Sequence, residues 1–149
     1  VHLCRTRLAT GGMLAGLKTL NRLEQVMAAR EAAAAGCGEG VVCDADGFLV
    51  EGIMSNLFWS ARGELFTPDL QHSGVSGVMR EFVLDVASRA GLSVNIVREK
   101  ADVLEDAEAI FLTNATGLVP VSECNGNQFD IHAVPDEISA AIDNLLRAE

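Results

Sequence analysis

Residues 41–67 run Val41-Val42-Cys43-Asp44-Ala45-Asp46-Gly47-Phe48-Leu49-Val50-Glu51-Gly52-Ile53-Met54-Ser55-Asn56-Leu57-Phe58-Trp59-Ser60-Ala61-Arg62-Gly63-Glu64-Leu65-Phe66-Thr67. β-Branched and aromatic side chains cluster in short runs, and turn residues separate the runs. Val41-Val42-Cys43 reads as a strand. Asp44-Ala45-Asp46-Gly47 reads as a hairpin turn, with Asp-Gly as its turn chemistry. Residues 48–53 form the return strand. Residues 56–60 and 64–67 make a second pair across a turn at Arg62-Gly63. Together the four predicted strands make an antiparallel meander.

Upstream, residues 14–23 are apolar around Lys18. Leu20, Leu23, Val26 and Met27 then recur at three- and four-residue steps, which predicts a helix. An alanine run at residues 32–35 continues it, and Gly36 and Gly38 end it. Downstream, residues 68–77 form a loop. A helix starts near Val78, with Val78, Met79, Phe82, Val83, Val86 and Ala87 on one face, and Gly91 stops it. Strands are predicted at 93–98, 109–113 and 118–122, with a short helical turn at 103–106. Asn125-Gly126-Asn127 turns the chain, and Pro135 opens a last helix through Leu146. No internal repeat, low-complexity tract or linker interrupts the pattern. The whole chain reads as one α+β domain.

A length of 149 residues with 49% hydrophobic side chains is enough for a packed core. Asp plus Glu total 21 against 11 for Lys plus Arg, a net charge of −10. That balance excludes binding to a nucleic-acid backbone or to an anionic membrane as the main function. No apolar run reaches the roughly 18 residues of a membrane span, and no secretory leader is visible. Cys4, Cys37, Cys43 and Cys124 contain no Cys-x-x-Cys pair and read as free thiols in a reducing cytosol. His2, His72 and His132 have no metal-ligand spacing, so no metal site is expected.

Three features carry chemistry. Lys18 sits among Leu14, Ala15, Gly16, Leu17 and Leu20. It reads either as an amine kept short of its charged form by apolar neighbours, and so a nucleophile or base, or as a snorkelling lysine. Lys100, in contrast, lies in a charge run that reads as a solvated turn. Glu51 interrupts an apolar strand. It needs a partner such as a pyridinium nitrogen, or else it lies on the solvated face of an edge strand. The loop Ser73-Gly74-Val75-Ser76-Gly77 runs into the helix at Val78. It reads as a phosphate cradle of free backbone N–H groups or as a plain tight turn. It is neither a Walker loop nor a dinucleotide fingerprint. An amine, an acid for a ring nitrogen and a phosphate cradle are together the parts that pyridoxal phosphate requires.

The order and spacing of Glu51-Gly52-Ile53-Met54-Ser55-Asn56-Leu57-Phe58, Leu65-Phe66-Thr67 and Val75-Ser76-Gly77-Val78-Met79-Arg80 resemble the signature of the class IV, branched-chain/D-amino-acid type, pyridoxal-phosphate enzymes. The run Leu17-Lys18-Thr19-Leu20-Asn21-Arg22-Leu23-Glu24 most resembles the aminodeoxychorismate lyase branch of that family. The resemblance continues through Phe111-Leu112-Thr113-Asn114 and Val119-Pro120-Val121.

The resemblance implies an α+β fold, with an antiparallel β-rich, barrel-like core and flanking helices. It implies that Lys18 carries the cofactor and moves protons, and that Glu51 pairs with the pyridine nitrogen. Val75 would pack on the ring, and the amides of Val78 and Met79 would hold the phosphate. Arg22 would lie near the ring's 3-hydroxyl, where transaminases of the family often carry a tyrosine; this chain has no Tyr. Ala115 and Thr116 compete for a further phosphate contact, and Thr116 is taken. The implied reaction converts 4-amino-4-deoxychorismate to 4-aminobenzoate and pyruvate, a step towards folate, in a cytoplasmic homodimer. Residues 1–149 would be the lysine-bearing C-terminal domain, with the family's smaller N-terminal domain absent. A branched-chain or D-amino-acid transaminase, and a catalytically inactive fragment that binds a partner subunit, are the alternatives.

Overall fold

Residues 40–68 do form four strands, but not a single meander. In the computed structural model, which describes residues 1–147, the first two strands and the last two belong to different sheets. In chain order the strands are β1 (His2–Leu8), β2 (Gly40–Asp44), β3 (Leu49–Gly52), β4 (Asn56–Ala61), β5 (Glu64–Pro68), β6 (Val94–Val97), β7 (Ala109–Asn114), β8 (Gly117–Val121), β9 (Glu123–Cys124) and β10 (Asn127–Gln128). The helices are α1 (Leu23–Ala34), α2 (Val78–Ala90) and α3 (Asp136–Arg147), and Ala101–Asp106 makes a 3-10 turn. One sheet has the order β1-β2-β3, the second β6-β5-β4-β7-β8, and β9 and β10 form a small hairpin.

The meander breaks at residues 52–55, where the Gly52 N–H donates to the Ser55 carbonyl at 2.7 Å and turns the chain. β4 needs a neighbour on each side because it is buried nearly throughout, and β5 and β7 supply them. A continuous apolar run signals such a two-face burial, but it does not name the partner strands. Phe58 lies opposite Phe111 in this register, and the two rings stack at 5.1 Å.

Two parallel pairs were not expected from the sequence. β1 pairs with β2 across α1, and β5 pairs with β6 across α2. Parallel neighbours require a crossover of this kind. β1 escaped the sequence reading because Arg5 and Arg7 break its apolar run, and only Cys4 and Leu8 are buried along it.

The strand alternation builds layers. Val41, Cys43 and Leu49 of the first sheet meet Leu57, Trp59, Ile110 and Leu112 of the second. On the outer side of the first sheet, Val42 and Val50 pack with Ala28 and Ala32 of α1. On the outer side of the second, Phe58 and Phe111 pack with Met79 and Val83 of α2 and Ile138 and Ile142 of α3. The α+β class therefore holds, with helices flanking a β core. Among the described residues the sheets are open and face each other rather than closing into a barrel. α1 departs from its sequence pattern: Leu23, Val26 and Met27 are exposed, and the small Ala28 and Ala32 make the contact instead. α2 ends as predicted, on Gly91 at φ 74°. All four cysteines are free thiols, and burial pushes Cys4 up to about 11, which keeps it an unreactive thiol.

Candidate active site

Both crossovers leave the carboxyl end of a strand, where open sheets bind ligands. The first, residues 9–22, carries Lys18; the second, residues 69–77, carries the Gly/Ser loop. Backbone hydrogen bonds tie one to the other. The Gly11 N–H donates to His72 O at 2.6 Å, Gly16 N–H to Gly74 O at 2.9 Å, and Ser76 N–H to Gly16 O at 2.8 Å. Gly16 and Val75 form a parallel bridge, so the lysine segment is anchored two residues before Lys18.

A cleft of ≈ 880 Å³ opens beside this junction. Lys18, Arg22, Glu51, Val75, Val78, Met79 and Thr116 all line it, so the seven residues singled out in the sequence share one cavity. Lys18 is exposed. Of the two readings open for it, the apolar enclosure is not built: Leu14, Leu17 and Leu20 are themselves exposed. Neighbours in sequence enclose a side chain only when the backbone folds them over it, and this loop points them outward.

Glu51 is the penultimate residue of β3 and is 4% exposed. β3 is an edge strand, as one sequence alternative had it, but the side chain is not solvated. Its Oε2 accepts the Val75 N–H at 2.8 Å, while Oε1 has no hydrogen-bond donor. The nearest cation is Arg22, with Nη2 at 4.0 Å from Oε1. Burial pushes the Glu51 carboxyl up to about 7; the Val75 amide, Arg22, Gln25 and Lys18 pull the other way without offsetting it. A buried carboxylate oxygen without a donor is costly to leave so, and a cationic N–H would satisfy it.

At the other wall, α2 begins on Gly77 without a side-chain cap. The Val75 and Ser76 amides are engaged, and the first turn of the helix is closed by Glu81 N–H to Gly77 O at 3.1 Å. The amides of Val78 and Met79 thus have no acceptor within the helix. Val78 is 89% exposed at the cleft rim, whereas Met79 is buried against the sheet. A Cβ on Gly77 would lie 2.2 Å from Asn56 Oδ1, so only glycine permits this approach. Asn56 is fixed in turn by donating through Nδ2 to Thr113 O at 2.8 Å and to Thr113 Oγ1 at 3.2 Å. Thr116 lies in the β7–β8 turn, its N–H and hydroxyl donating to Asn114 Oδ1 at 2.9 and 2.7 Å.

Asn56 and Asn114 also line the cleft and were not singled out from the sequence. Asn56 had a signal of the same kind as Glu51, a polar side chain heading an apolar strand. Lys100 is placed apart, with Nζ 3.8 Å above the Phe48 ring and donating to Asp46 O. Among the described residues no cluster of His, Cys, Asp and Glu is arranged to hold a metal ion, and no helix is long and apolar enough to cross a membrane.

The arrangement is an amine, a buried acid short of a donor and an uncapped helix start around one cavity. These residues fit pyridoxal phosphate: the orphaned Glu51 Oε1 suits a protonated ring nitrogen, and the helix start without a side-chain cap at Gly77 lines the same cleft and suits a phosphate.

Known proteins resemble this chain in sequence and in fold. The chain is 38% identical over 120 residues to an aminodeoxychorismate lyase of Vibrio harveyi, covering 80% of this chain and 44% of that one. It is 36% identical over 113 residues to a putative branched-chain-amino-acid aminotransferase of Methanocaldococcus jannaschii, covering 74% of this chain and 38% of that one. The crystal structure of 4-amino-4-deoxychorismate lyase from Pseudomonas aeruginosa superposes with a TM-score of 0.87 at 38% identity, over 100% of this chain and 54% of that one. The chain thus spans about half the length of the proteins it matches. The family model for class IV amino-transferases matches residues 1–124, and with the lysine, acid and helix start held in one cleft, the chain belongs to the class IV aminotransferase family.

Proposed function

We propose that this chain is the lysine-bearing domain of a pyridoxal-phosphate-dependent lyase that converts 4-amino-4-deoxychorismate to 4-aminobenzoate and pyruvate. The observation that carries the cofactor reading is Glu51, buried in the cleft wall with Oε1 short of a donor. The lyase choice rests on similarity to two proteins of that name, at 38% identity each.

When bound, the cofactor supplies an electron sink for the carbon that bears the substrate amine. Glu51 Oε1 would accept the ring N–H and favour the protonated form of that nitrogen. The Val78 and Met79 amides would hold the phosphate, and the Thr116 hydroxyl would join them by turning its proton away from Asn114 Oδ1, which keeps the Thr116 N–H. Val75 would pack against the ring, and Arg22, whose Nη2 is 4.0 Å from Glu51 Oε1, would serve the ring's hydroxyl. Lys18 would hold the cofactor, and its free Nζ would take the proton from the amine-bearing carbon of the substrate ring. The bond from the ring to the enolpyruvyl oxygen then breaks and the ring becomes aromatic. The departing enolpyruvate takes a proton from Lys18 or water and leaves as pyruvate.

On this reading the remainder of the relatives' length corresponds to the smaller domain that the resemblance places ahead of the lysine. The working unit is a homodimer in the cytoplasm, an environment in which the four free thiols stay reduced. The test is product analysis with the intact protein. Pyruvate and 4-aminobenzoate in equal amounts are expected from 4-amino-4-deoxychorismate. Amino-group exchange with a branched-chain oxo acid, without those products, would assign a transaminase instead.

A further inference from the structure

We propose that Glu39 is a positioning residue for the cleft, setting the wall that carries Glu51 and, through Asn114, the turn that presents Thr116. The proposal rests on the cofactor reading above. Glu39 is half-buried and does not line the cleft itself. Its single carboxylate collects four donors. Oε1 accepts the N–H groups of Gly40 and Ile53, each at 2.9 Å, and Oε2 accepts the Met54 N–H at 3.3 Å and the Ser55 hydroxyl at 3.2 Å. An ionised carboxylate can take this many donors, whereas an amide has only one accepting oxygen.

Three of those donors belong to the turn that follows Glu51 and breaks the meander. The turn has no slack of its own: a Cβ on Gly52 would lie 2.1 Å from Ser55 Oγ. Its Met54 carbonyl accepts from Asn114 Nδ2 at 3.3 Å, and Asn114 Oδ1 in turn accepts the N–H and hydroxyl of Thr116. Ile53, Met54, Ser55, Asn114 and Thr116 all face the cleft. One carboxylate outside the cavity therefore orders two of its walls, by a continuous chain of hydrogen bonds from β2 to the β7–β8 turn.

Glu39→Gln keeps the size of the side chain and turns an N–H₂ group towards donors. Hydrogen exchange of the cofactor-free intact protein reads the relay directly. The Thr116 amide, which Glu39 does not touch, should exchange about tenfold faster in the variant, the equivalent of one hydrogen bond. The Phe58 and Phe111 amides in the core should be unchanged. An unaltered Thr116 rate overturns the proposal, and so does a uniform rise that includes the core, which would make Glu39 a general stability element. Asn114→Ala cuts the relay at its middle and should reproduce the Thr116 effect with Glu39 intact; failure to do so overturns it as well. Affinity supplies the second readout. Glu39→Gln should weaken pyridoxal phosphate about tenfold and unphosphorylated pyridoxal only about two- to threefold, because the ring meets the Glu51 wall alone while the phosphate also depends on the far end of the relay. Equal weakening of both, or of neither, overturns the proposal. If the wild type takes up neither probe, the cofactor reading fails, and the exchange measurement still decides whether Glu39 orders the two walls.

Discussion

The two crossovers of the molecule carry complementary halves of the site and are built differently. The second, residues 69–77, is packed into the fold: Ser73 is buried, the Val75 N–H is held by Glu51, and Gly77 lies against Asn56. The first, residues 9–22, lies on the surface. Met13, Leu14, Leu17 and Leu20 are exposed, and the segment is held by Glu24 at the Ala9 N–H and by its backbone bonds to the second crossover. The acid and the helix start thus have their chemistry shaped by this chain's own packing. Lys18 is aimed by this chain but not enclosed by it. Changes on the lysine side should therefore alter chemistry while leaving the fold intact, and changes on the packed side should alter both.

The largest effect is expected at Lys18. Lys18→Ala should abolish covalent attachment of pyridoxal phosphate and reduce turnover on the order of 10⁴-fold or more. Its thermal stability without cofactor should stay within about 0.5 kcal/mol, because the side chain is exposed. Unfolding by the substitution would break the contrast between the crossovers.

Glu51→Gln should retain attachment but lower turnover about 10²–10⁴-fold, since a neutral amide does not keep the ring nitrogen protonated. It also has a signature in stability. The folded chain holds the Glu51 proton up to about pH 7, whereas an ordinary glutamate releases it near 4.5. This contribution is greatest below 4.5 and is lost as pH rises through about 7. The loss is at most about 3 kcal/mol. Denaturant titrations of the cofactor-free protein between pH 4 and 8 should show that decline, and Glu51→Gln should flatten it. An identical decline in the variant would remove Glu51 as its source.

How much of this was legible in the sequence follows the same division. Glu51 and residues 73–77 could be read because each contradicts its local context, an acid in an apolar strand and a glycine-rich loop into a helix. The strand count in residues 40–68 was legible for the same reason, since turn residues punctuate apolar runs. The partners of those strands were not, because pairing is decided by distant segments: β7 takes the place beside β4 that a meander gives to β3. β1 was hidden by its two arginines, and with it the parallel crossover that carries Lys18. The environment of Lys18 stayed open between two readings because apolar neighbours in sequence do not fix which way the loop turns them.

A smaller effect is expected at the close approach of helix and strand. Gly77→Ala places a methyl on Asn56, which Thr113 holds, and should cost about 1–3 kcal/mol of stability together with cofactor affinity. A neutral result in both would show that the helix start has more room than its geometry implies. The smallest effect belongs to Thr116→Val. The side chain is exposed and its hydroxyl meets only Asn114, so stability should hardly change. Pyridoxal phosphate affinity should fall by a few-fold, about 1 kcal/mol, in an equilibrium titration.

The most direct test of the account is to add pyridoxal phosphate to the intact protein, reduce it with borohydride and map the labelled peptide. The account expects a visible absorbance band before reduction and a single label on Lys18 afterwards. A label on Lys100, which is pinned over Phe48 away from the cleft, or no label at all, would contradict it.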